Sequence, residues 1–183
     1  MEQMINTVVT EVYEVVKQIN ADETKELAEE VQKAKRIFIS GTGRSGLVGK
    51  IFAMRLMHSD YPVYVVGETI TPSIEPNDLL LIISGSGSTG SLVQYAKKAK
   101  EADAKIALVT TNKNSVIGNI ADQSVAIPAA TKKRLEKEPE TIQPLGSQFD
   151  QSAHLLLDAI VVYLLEHYPK ESQNLNQKHA NLE

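Results

Sequence analysis

The sequence predicts an α/β fold in which a five-stranded parallel sheet is flanked by helices on both faces. The first observation is alternation: short apolar runs and segments with helical spacing mostly succeed one another along the chain, which favours a parallel sheet. The second is that two apolar runs end in turns rich in glycine and hydroxyl side chains, at residues 41–46 and 84–91. Such turns lead from a buried strand into a helix.

Two amphipathic helices, predicted at residues 5–18 and 23–34, precede the first strand. They are separated by Asn20, Ala21 and Asp22, which interrupt the helical spacing. A helical hairpin in this position either packs on a neighbouring subunit or covers an edge of the sheet. The sequence leaves both possibilities open.

The remaining elements follow from short apolar runs and helical periodicity. Strands are predicted at residues 36–40, 61–66, 79–83, 105–110 and 124–128. Helices are predicted after each glycine-rich turn, at residues 115–121 and at residues 147–168. Residues 129–146 lack periodicity, and a segment of this length in a compact domain is usually a functional loop or disordered. Since ligands of such sheets lie off the carboxyl ends of the strands, we expect both glycine-rich turns and the exit at Thr110, Thr111 and Asn112 to converge there.

The turn after Ile83 has the composition of an anion site. Glycines allow a ligand to approach the backbone, and free N–H groups at a helix start favour negative charge. The hydroxyls of Ser84, Ser86, Ser88 and Thr89 add neutral donors for phosphate oxygens. A single helix cap needs only one hydroxyl, so this pattern favours a bound phosphate ester over an ordinary capped turn.

Two other phosphate-binding motifs fit less well. The turn lacks the lysine and the spacing of a nucleotide P-loop. Glycines 41, 43 and 46, like glycines 85, 87 and 90, do match the spacing of a dinucleotide fingerprint. Glu68 lies about where a ribose-binding carboxylate is expected after the first turn, so a dinucleotide is disfavoured there but not excluded.

Composition narrows the function classes. The chain has 183 residues, a length typical of one domain, and its formal charge of −4 disfavours nucleic acid as the main partner. Lys132, Lys133 and Arg134 form a short basic run, but acidic residues follow at once, which indicates a solvated surface segment. The absence of cysteine excludes disulfides and a thiolate nucleophile. With no signal-peptide pattern and no apolar run of membrane-spanning length, we expect a soluble cytoplasmic protein.

Three histidines have structural interpretations. His58, one turn after Arg55, is interpreted as a charge near a helix end or a partner for a neighbouring loop. His154, one turn after Asp150, could orient that carboxylate but is interpreted as a partly buried structural residue. His167 is interpreted as a charge at a helix end.

Motifs along most of the chain resemble one known family. They are Gly41-Thr42-Gly43-Arg44-Ser45-Gly46, Ala53-Met54-Arg55-Leu56-Met57-His58, Gly67-Glu68-Thr69 with Thr71-Pro72, Ser84-Gly85-Ser86-Gly87, Pro144-Leu145-Gly146-Ser147-Gln148-Phe149 and His179-Ala180-Asn181-Leu182. Together they resemble the sugar isomerase (SIS) domain family, and within it the 6-phospho-3-hexuloisomerases. The resemblance covers nearly everything from residue 36 onward.

The resemblance implies a single SIS domain of the flavodoxin-like or Rossmann-like type over residues 1–183, with N-terminal helices to residue 35, an α/β core at 36–168 and a tail at 169–183. It implies an intramolecular oxidoreductase that converts 3-hexulose 6-phosphate to fructose 6-phosphate, the second step of formaldehyde fixation by the ribulose monophosphate pathway. It further implies that no metal or organic cofactor is needed. The expected assembly is a homotetramer, functionally linked to the synthase that makes the substrate.

Moving a carbonyl from C3 to C2 through an enediol requires a phosphate anchor, a base and a donor for the oxygens. The anchor is predicted to consist of Ser45, Ser84, Ser86, Ser88 and Thr89, with backbone from Gly85 and Gly87. Arg44 is predicted either to contact the sugar oxygens or to form a structural ion pair.

The family's acid-base carboxylate corresponds to Asp150, where the family usually carries glutamate, so the shorter side chain must approach the substrate differently. Its alternative role is an acid placed favourably in the first turn of a helix. His179 is the second catalytic candidate, because the resemblance implies that the terminal segment folds back towards a site, in its own or a neighbouring subunit.

The sequence leaves other functions open. A ligand-sensing SIS module would keep the phosphate loops without needing Asp150 or His179. An isomerase of arabinose or heptulose phosphates would have similar loops, and a dinucleotide-binding protein is a weaker rival. A purely structural oligomer leaves the two hydroxyl-lined turns unexplained.

Overall fold

The structure, a computed structural model, describes residues 1–170 and, in the tail, residues 175, 179, 181 and 182. The helices and strands, in chain order, are α1 (Glu2–Val16), α2 (Ala21–Lys33), β1 (Ile37–Gly41), α3 (Gly43–His58), β2 (Val63–Val65), β3 (Leu79–Ile83), α4 (Gly90–Glu101), β4 (Lys105–Thr110), β5 (Gln123–Ala126) and α5 (Ser147–His167).

The five strands form one parallel sheet in the order β2-β1-β3-β4-β5, which confirms the predicted fold class. The chain reverses its direction of winding between β1 and β3, and such a switch point is where ligands bind in open α/β sheets. The register pairs Ile37 with Leu79 and Gly41 with Ile83. The turns that follow β1 and β3 therefore begin side by side.

Alternating side chains of the buried strands supply two cores. Ile37, Ile39 and Leu81 point to the face covered by α2, α3 and α5, with Val15 of α1 joining the same cluster. Phe38 and Ile82 point to the other face, which is covered by α4, by the turns at 111–121 and by Ile74 from the segment between β2 and β3. The predicted three layers are present, but four of the five helices lie on one face. No helix among the described residues has the length and apolar character needed to cross a membrane.

One predicted helix, at residues 115–121, is wrong: this segment is a series of turns. The N–H of Ile117 donates to the carbonyl of Gly87 at 2.9 Å, and the N–H of Gly118 donates to the hydroxyl of Ser115 at 3.2 Å. A helix over these residues could form i→i+4 bonds only from its last three N–H groups. Asn119 and Ala121 do form them, with the carbonyls of Ser115 and Ile117, but Ile120 donates to Ile117 instead, so the segment contains isolated turns and not a continuous helix. Other boundaries differ from the predictions by a few residues.

The two N-terminal helices have different environments. Helix α2 covers the β5 edge, where Gln123 Nε2 donates to the carbonyl of Glu23 at 3.0 Å. Helix α1 packs on α5 and is fixed by its Glu11 carboxylate, which accepts the Ile142 N–H at 2.8 Å and the Gln143 side-chain amide at 3.0 Å. Burial alone raises the pKa of Glu11, but these hydrogen bonds and one from Thr141 outweigh it, so the pKa lies below its ordinary value.

An ion pair joins β1 to β3 at the end of the sheet opposite the glycine-rich turns. Asp78 is completely buried and accepts from Arg36 Nε at 3.0 Å and from Arg36 Nη2. The same carboxylate accepts the backbone N–H of Glu75 at 2.8 Å. Asp78 is therefore the buried counter-charge of Arg36, whose Nη2 also donates to the carbonyl of Ser73 at 3.1 Å and lies 3.2 Å from the exposed Glu75 carboxylate.

We predict that Asp78→Ala lowers the free energy of unfolding by about 3 kcal/mol or more, because it leaves the Arg36 guanidinium without its buried counter-charge. Urea unfolding at matched protein concentration measures the change. Glu75→Gln is the control, since that exposed carboxylate is expected to contribute less than about 1 kcal/mol. Equal, small losses in both variants would contradict this account of the pair.

Candidate functional site

A cavity of about 480 Å³ lies at the carboxyl ends of β1, β3 and β4. Its wall combines hydroxyl, amide and charged side chains with an apolar patch. The lining residues are Thr42, Arg44, Ser45, Ile83, Ser84, Gly85, Ser86, Thr89, Thr111, Asn112, Ala130, Thr131, Lys132, Lys133, Leu135, Glu138, Leu145, Gly146, Phe149 and Asp150. A larger groove of about 660 Å³ follows the polar face of α1, but its four glutamates, Glu2, Glu11, Glu14 and Glu140, disfavour an anionic ligand.

The N-termini of three helices meet at this cavity. Helix α3 begins after Thr42, α4 after Thr89 and α5 after Gly146, and none of the three is capped by a hydrogen bond from its N-cap side chain. By contrast, Asn20 caps α2 by accepting two backbone N–H groups at 2.9 and 3.1 Å. Uncapped helix starts keep N–H donors and a partial positive charge available to a ligand, so this end of the sheet favours an anion.

The shape of the turn after β3 is fixed by residues at the end of β4. The carbonyl of Gly85 accepts the hydroxyls of Thr110 and Thr111 at 3.1 and 2.8 Å. Gly87 has a φ of +58°, which favours glycine, and its N–H donates to the Ser84 hydroxyl oxygen at 3.2 Å. The Ser84 hydroxyl therefore accepts from the turn and keeps its own proton to donate.

The turn after β1 depends on a close approach of two glycines. A side chain at Gly46 would place its Cβ 2.7 Å from the carbonyl oxygen of Gly41, so the first turn of α3 contacts the end of β1 directly. This approach places Arg44 and Ser45 beside the start of α5.

Asp150 is the buried acid of the cavity, with 6% of its surface exposed. Its Oδ1 accepts the Ser45 hydroxyl at 2.8 Å, and its Oδ2 accepts Arg44 Nε at 3.1 Å. The predicted structural ion pair of Arg44 is thus present, and the Arg44 side chain is still mostly exposed. Since the only proton of the Ser45 hydroxyl goes to Asp150, Ser45 can donate to a phosphate only if its hydroxyl rotates away.

Most predicted site residues lie together. The predicted residues that line the cavity are Arg44, Ser45, Ser84, Gly85, Ser86, Thr89 and Asp150. Gly87 and Ser88 belong to the turn after β3 but do not line the cavity. Ser88 instead shapes the turn, since its hydroxyl donates to the carbonyl of Ser86 at 3.2 Å.

His179 lies elsewhere in the chain's own structure. Its ring stacks on that of His58, with centroids 5.5 Å apart, at the C-terminal end of α3. The cavity lies at the N-terminal end of this helix, roughly 22 Å away at 1.5 Å per residue. Burial, with Arg55 and His179 adding to its effect, lowers the pKa of His58, so a neutral contact for the tail fits better than a helix-end cation.

His154 and Glu68, two further residues considered from the sequence, do not line the cavity. His154 pairs with Asp158, with 3.5 Å between Nε2 and Oδ2, rather than with Asp150. Glu68 pairs with Lys50 at 3.2 Å and does not line the cavity, which weakens the dinucleotide interpretation.

Sequence reasoning missed the contribution of the segment after β5. The cavity is lined by Thr131, Lys132, Lys133 and Glu138, whereas the sequence pattern indicates only a solvated surface segment for the basic run. Both lysines are exposed to solvent, as predicted, but the sequence pattern does not indicate that they also line the cavity. The only sequence signal was the length of the aperiodic stretch, which does not indicate which of its residues face the sheet.

The fold and the cavity define a member of the SIS domain family: the SIS domain model matches residues 30–142, and the chain belongs to this family. Within it, the chain is 38% identical over 181 residues to the 3-hexulose-6-phosphate isomerase of Bacillus subtilis, covering 99% of this chain and 98% of that protein. The 3-hexulose-6-phosphate isomerase of Mycobacterium gastri is 40% identical over 173 residues, which covers 94% of this chain and 86% of the relative.

A solved structure agrees with these relatives. The crystal structure of a Methanococcus jannaschii protein, from which a molecular function of 3-hexulose-6-phosphate isomerase was inferred, superposes with a TM-score of 0.84. It is 32% identical and covers 100% of both chains. The predicted family membership is confirmed.

We predict that Gly87→Ala abolishes measurable binding of fructose 6-phosphate. An alanine at a φ of +58° is strained, and its Cβ would overlap the Ser115 hydroxyl, so the turn must change shape. Isothermal titration calorimetry measures binding. Gly90→Ala makes the same substitution three residues later, where a Cβ meets nothing within 4 Å, and we expect wild-type affinity. Equal affinity in both variants would show that the shape of the turn does not matter for binding.

Proposed function

We propose that this protein is a sugar-phosphate isomerase that converts D-arabino-3-hexulose 6-phosphate to fructose 6-phosphate. The observation that carries the proposal is one cavity in which three uncapped helix N-termini and a hydroxyl-rich turn surround a buried carboxylate. The named function of two relatives more than one third identical over most of the chain supports the choice of substrate.

The phosphate anchor in this proposal is the turn after β3. The Ser84, Ser86 and Thr89 hydroxyls and the free N–H groups at the start of α4 supply neutral donors to the phosphate oxygens. Gly85, Gly87 and Ser88 shape this turn, and Ser45 joins the anchor when its hydroxyl turns from Asp150 to the ligand. Anchoring the phosphate at C6 holds the far end of the sugar in place, so C2 and C3 can be positioned against an acid-base group.

Asp150 is proposed as the base that moves the proton between C2 and C3. The proton leaves C2 of the 3-keto sugar, an enediol forms, and a proton then reaches C3 to leave the carbonyl at C2. Ser45 and Arg44 hold the two carboxylate oxygens and so fix its orientation. The exposed end of the Arg44 guanidinium is left to donate to the developing negative charge on the sugar oxygens.

The shorter aspartate fits this arrangement because it is tied to α3. Asp150 is in the first turn of α5, and its two bonds to Arg44 and Ser45 join that turn to the first turn of α3. An aspartate reaches these partners from a backbone that lies close to α3. A glutamate there would extend the carboxyl group by one methylene, towards or past Arg44.

His179 is proposed to act in the cavity of a different subunit. In its own chain it stacks on His58 at the far end of α3, so a role in proton transfer requires a neighbouring site. An imidazole can both accept and donate a proton, which suits proton transfer between sugar oxygens or carbons.

A homotetramer is proposed as the assembly that provides such neighbours. Helices α1 and α3 both pack on α5, and all three keep exposed apolar side chains. Tyr13 is 64% exposed and Val9 62%. A set of this size on one side of a sheet is typical of a subunit interface. Its members are Ile5, Val9, Tyr13, Leu47, Ile51, Met54, Leu155 and Val162.

The proposed reaction is an internal proton transfer, so it requires neither a metal nor an organic cofactor. We place the enzyme in the cytoplasm and in the ribulose monophosphate pathway, after the synthase that joins formaldehyde to ribulose 5-phosphate. In that position it removes formaldehyde by consuming the synthase product.

We predict that Asp150→Asn lowers kcat about a hundredfold to ten-thousandfold because the base is lost, while fructose 6-phosphate still binds. A metal-free assay measures turnover: a separate synthase supplies 3-hexulose 6-phosphate, and fructose 6-phosphate is followed. Asp158→Asn, eight residues further along α5, is the control and is expected to retain wild-type activity. Asp150→Glu restores the family's usual residue and is expected to remain active.

Three results would change the assignment. Binding without turnover in the wild type would leave a phosphosugar sensor. Turnover only of an arabinose or heptulose phosphate would leave another isomerase of the family. Full activity in Asp150→Asn would keep the enzyme and move the base to His179 or elsewhere.

We predict that Tyr13→Glu dissociates the assembly because it places a charge in the proposed interface. Tyr95→Glu is the matched control, since Tyr95 is also exposed, at 38%, but lies on α4 at the opposite face of the sheet. Analytical ultracentrifugation measures the mass. A tetramer that survives Tyr13→Glu would contradict the proposed interface, and a monomeric wild type would contradict the tetramer.

A further inference from the structure

The segment after β5 carries three consecutive cations, and they face different surroundings. Arg134 is used within the segment, since its guanidinium donates to the carbonyl of Thr131 at 3.0 Å and to that of Gln143. Lys132 and Lys133 line the cavity, and their ammonium groups have no hydrogen-bonded or ionic partner among the residues that the structure describes. The backbone N–H of Lys133 donates to the Thr131 hydroxyl at 3.2 Å. They are exposed but located beside the turn that anchors the phosphate.

Among the charged side chains of the cavity wall, these two lysines supply the excess of positive charge. The wall contains Arg44, Lys132 and Lys133 as cations and Glu138 and Asp150 as acids. Arg44 is already paired with Asp150. In a protein of net charge −4, Lys132 and Lys133 are therefore the unneutralised positive charges of this wall.

Glu138 fixes the segment that carries them. Its carboxylate accepts the Thr131 N–H at 2.8 Å, the Thr131 hydroxyl at 2.6 Å and the Leu135 N–H at 3.2 Å. These bonds bracket Lys132 and Lys133 on both sides. The N-terminal end of the segment is attached to α5, because the Ala130 N–H donates to the buried Gln148 side chain at 2.8 Å.

The hydrogen bonds that the Glu138 carboxylate accepts from Thr131 and Leu135, here called the clasp, are present at neutral pH. Burial alone raises the pKa of Glu138, but the hydrogen bonds from Thr131 and Leu135 and the charge of Arg134 outweigh it, so the pKa lies below its ordinary value. A depressed carboxyl pKa means that the stabilisation holds above the ordinary pKa and is lost only as the pH falls through the lowered value.

We propose that Lys132 and Lys133 form the cationic arm of the phosphate site, and that Glu138 is the positioning residue that holds this arm over the cavity. The inference rests on the proposed function in that the ligand is a phosphorylated ketose. The neutral hydroxyls and N–H groups recognise the phosphate at short range. The lysines add the attraction that draws a dianion into a negatively charged protein.

The test uses titration calorimetry with fructose 6-phosphate in low-salt buffer. Lys132→Gln together with Lys133→Gln is expected to raise Kd about tenfold or more and to flatten its dependence on salt. The raised KM should be accompanied by a nearly unchanged kcat, because the lysines do not touch C2 or C3. Lys97→Gln together with Lys98→Gln removes the same charge from the outer face of α4 and is expected to leave Kd unchanged.

Glu138→Gln separates positioning from simple electrostatics. Removing a negative charge from the wall would by itself tighten binding of a dianion, whereas loss of the clasp weakens it. We expect Kd to rise severalfold, and Glu138→Gln combined with the lysine variants to add little. Thermal unfolding checks that each variant is folded.

An unchanged Kd in the double lysine variant would overturn the inference, whatever the catalytic activity. Tighter binding in Glu138→Gln would overturn the positioning role. Raised Kd values in a protein that binds but does not isomerise would support the arm while removing the proposed reaction. A wild type that binds no phosphorylated ketose would overturn both.

Discussion

The pairing of β1 with β3 is the constraint on which the site depends. These strands are neighbours in space but not in sequence, and the last pair in their register is Gly41 with Ile83. Because both run in the same direction, the two glycine-rich turns start side by side and direct α3 and α4 to opposite faces of the sheet. An anion placed between the turns meets both helix starts. At the other end of the same two strands, the buried Arg36–Asp78 pair reinforces the alignment.

The third helix start is what turns an anion site into a candidate for catalysis. Helix α5 packs against α3, and its first turn places Asp150 against Arg44 and Ser45. A buried carboxylate is costly unless its oxygens have hydrogen-bond donors. Here the donors come from the turn after β1, so Asp150 and the side chains of Arg44 and Ser45 hold one another in place. This coupling also means that a substitution at Arg44 or Ser45 is expected to disturb the orientation of Asp150 and not only the contact with a ligand.

Much of this could be predicted from the sequence, since local patterns decide it. The apolar runs and glycine-rich turns predict the sheet, and they place Ser84, Ser86, Thr89, Arg44 and Ser45 at its carboxyl edge. The sequence does not predict contacts made across more than a hundred residues, such as the one between Ser45 and Asp150. Nor does it predict the path of an aperiodic segment, so Lys132, Lys133 and Glu138 were not assigned to the cavity. The helix predicted at 115–121 is wrong because so short a segment forms few helical bonds, and its first N–H groups donate to Gly87 and to the Ser115 hydroxyl as parts of successive turns.

The most direct test is to determine which carbon of the sugar exchanges its proton with solvent. Fructose 6-phosphate is incubated with the purified, metal-free enzyme in deuterium oxide, and the sugar is examined by NMR. We expect equilibration with the 3-keto isomer and deuterium at C3 of fructose 6-phosphate, because the enediol joins C2 and C3. Deuterium at C1 alone, or neither exchange nor the 3-keto isomer, would contradict the proposed reaction.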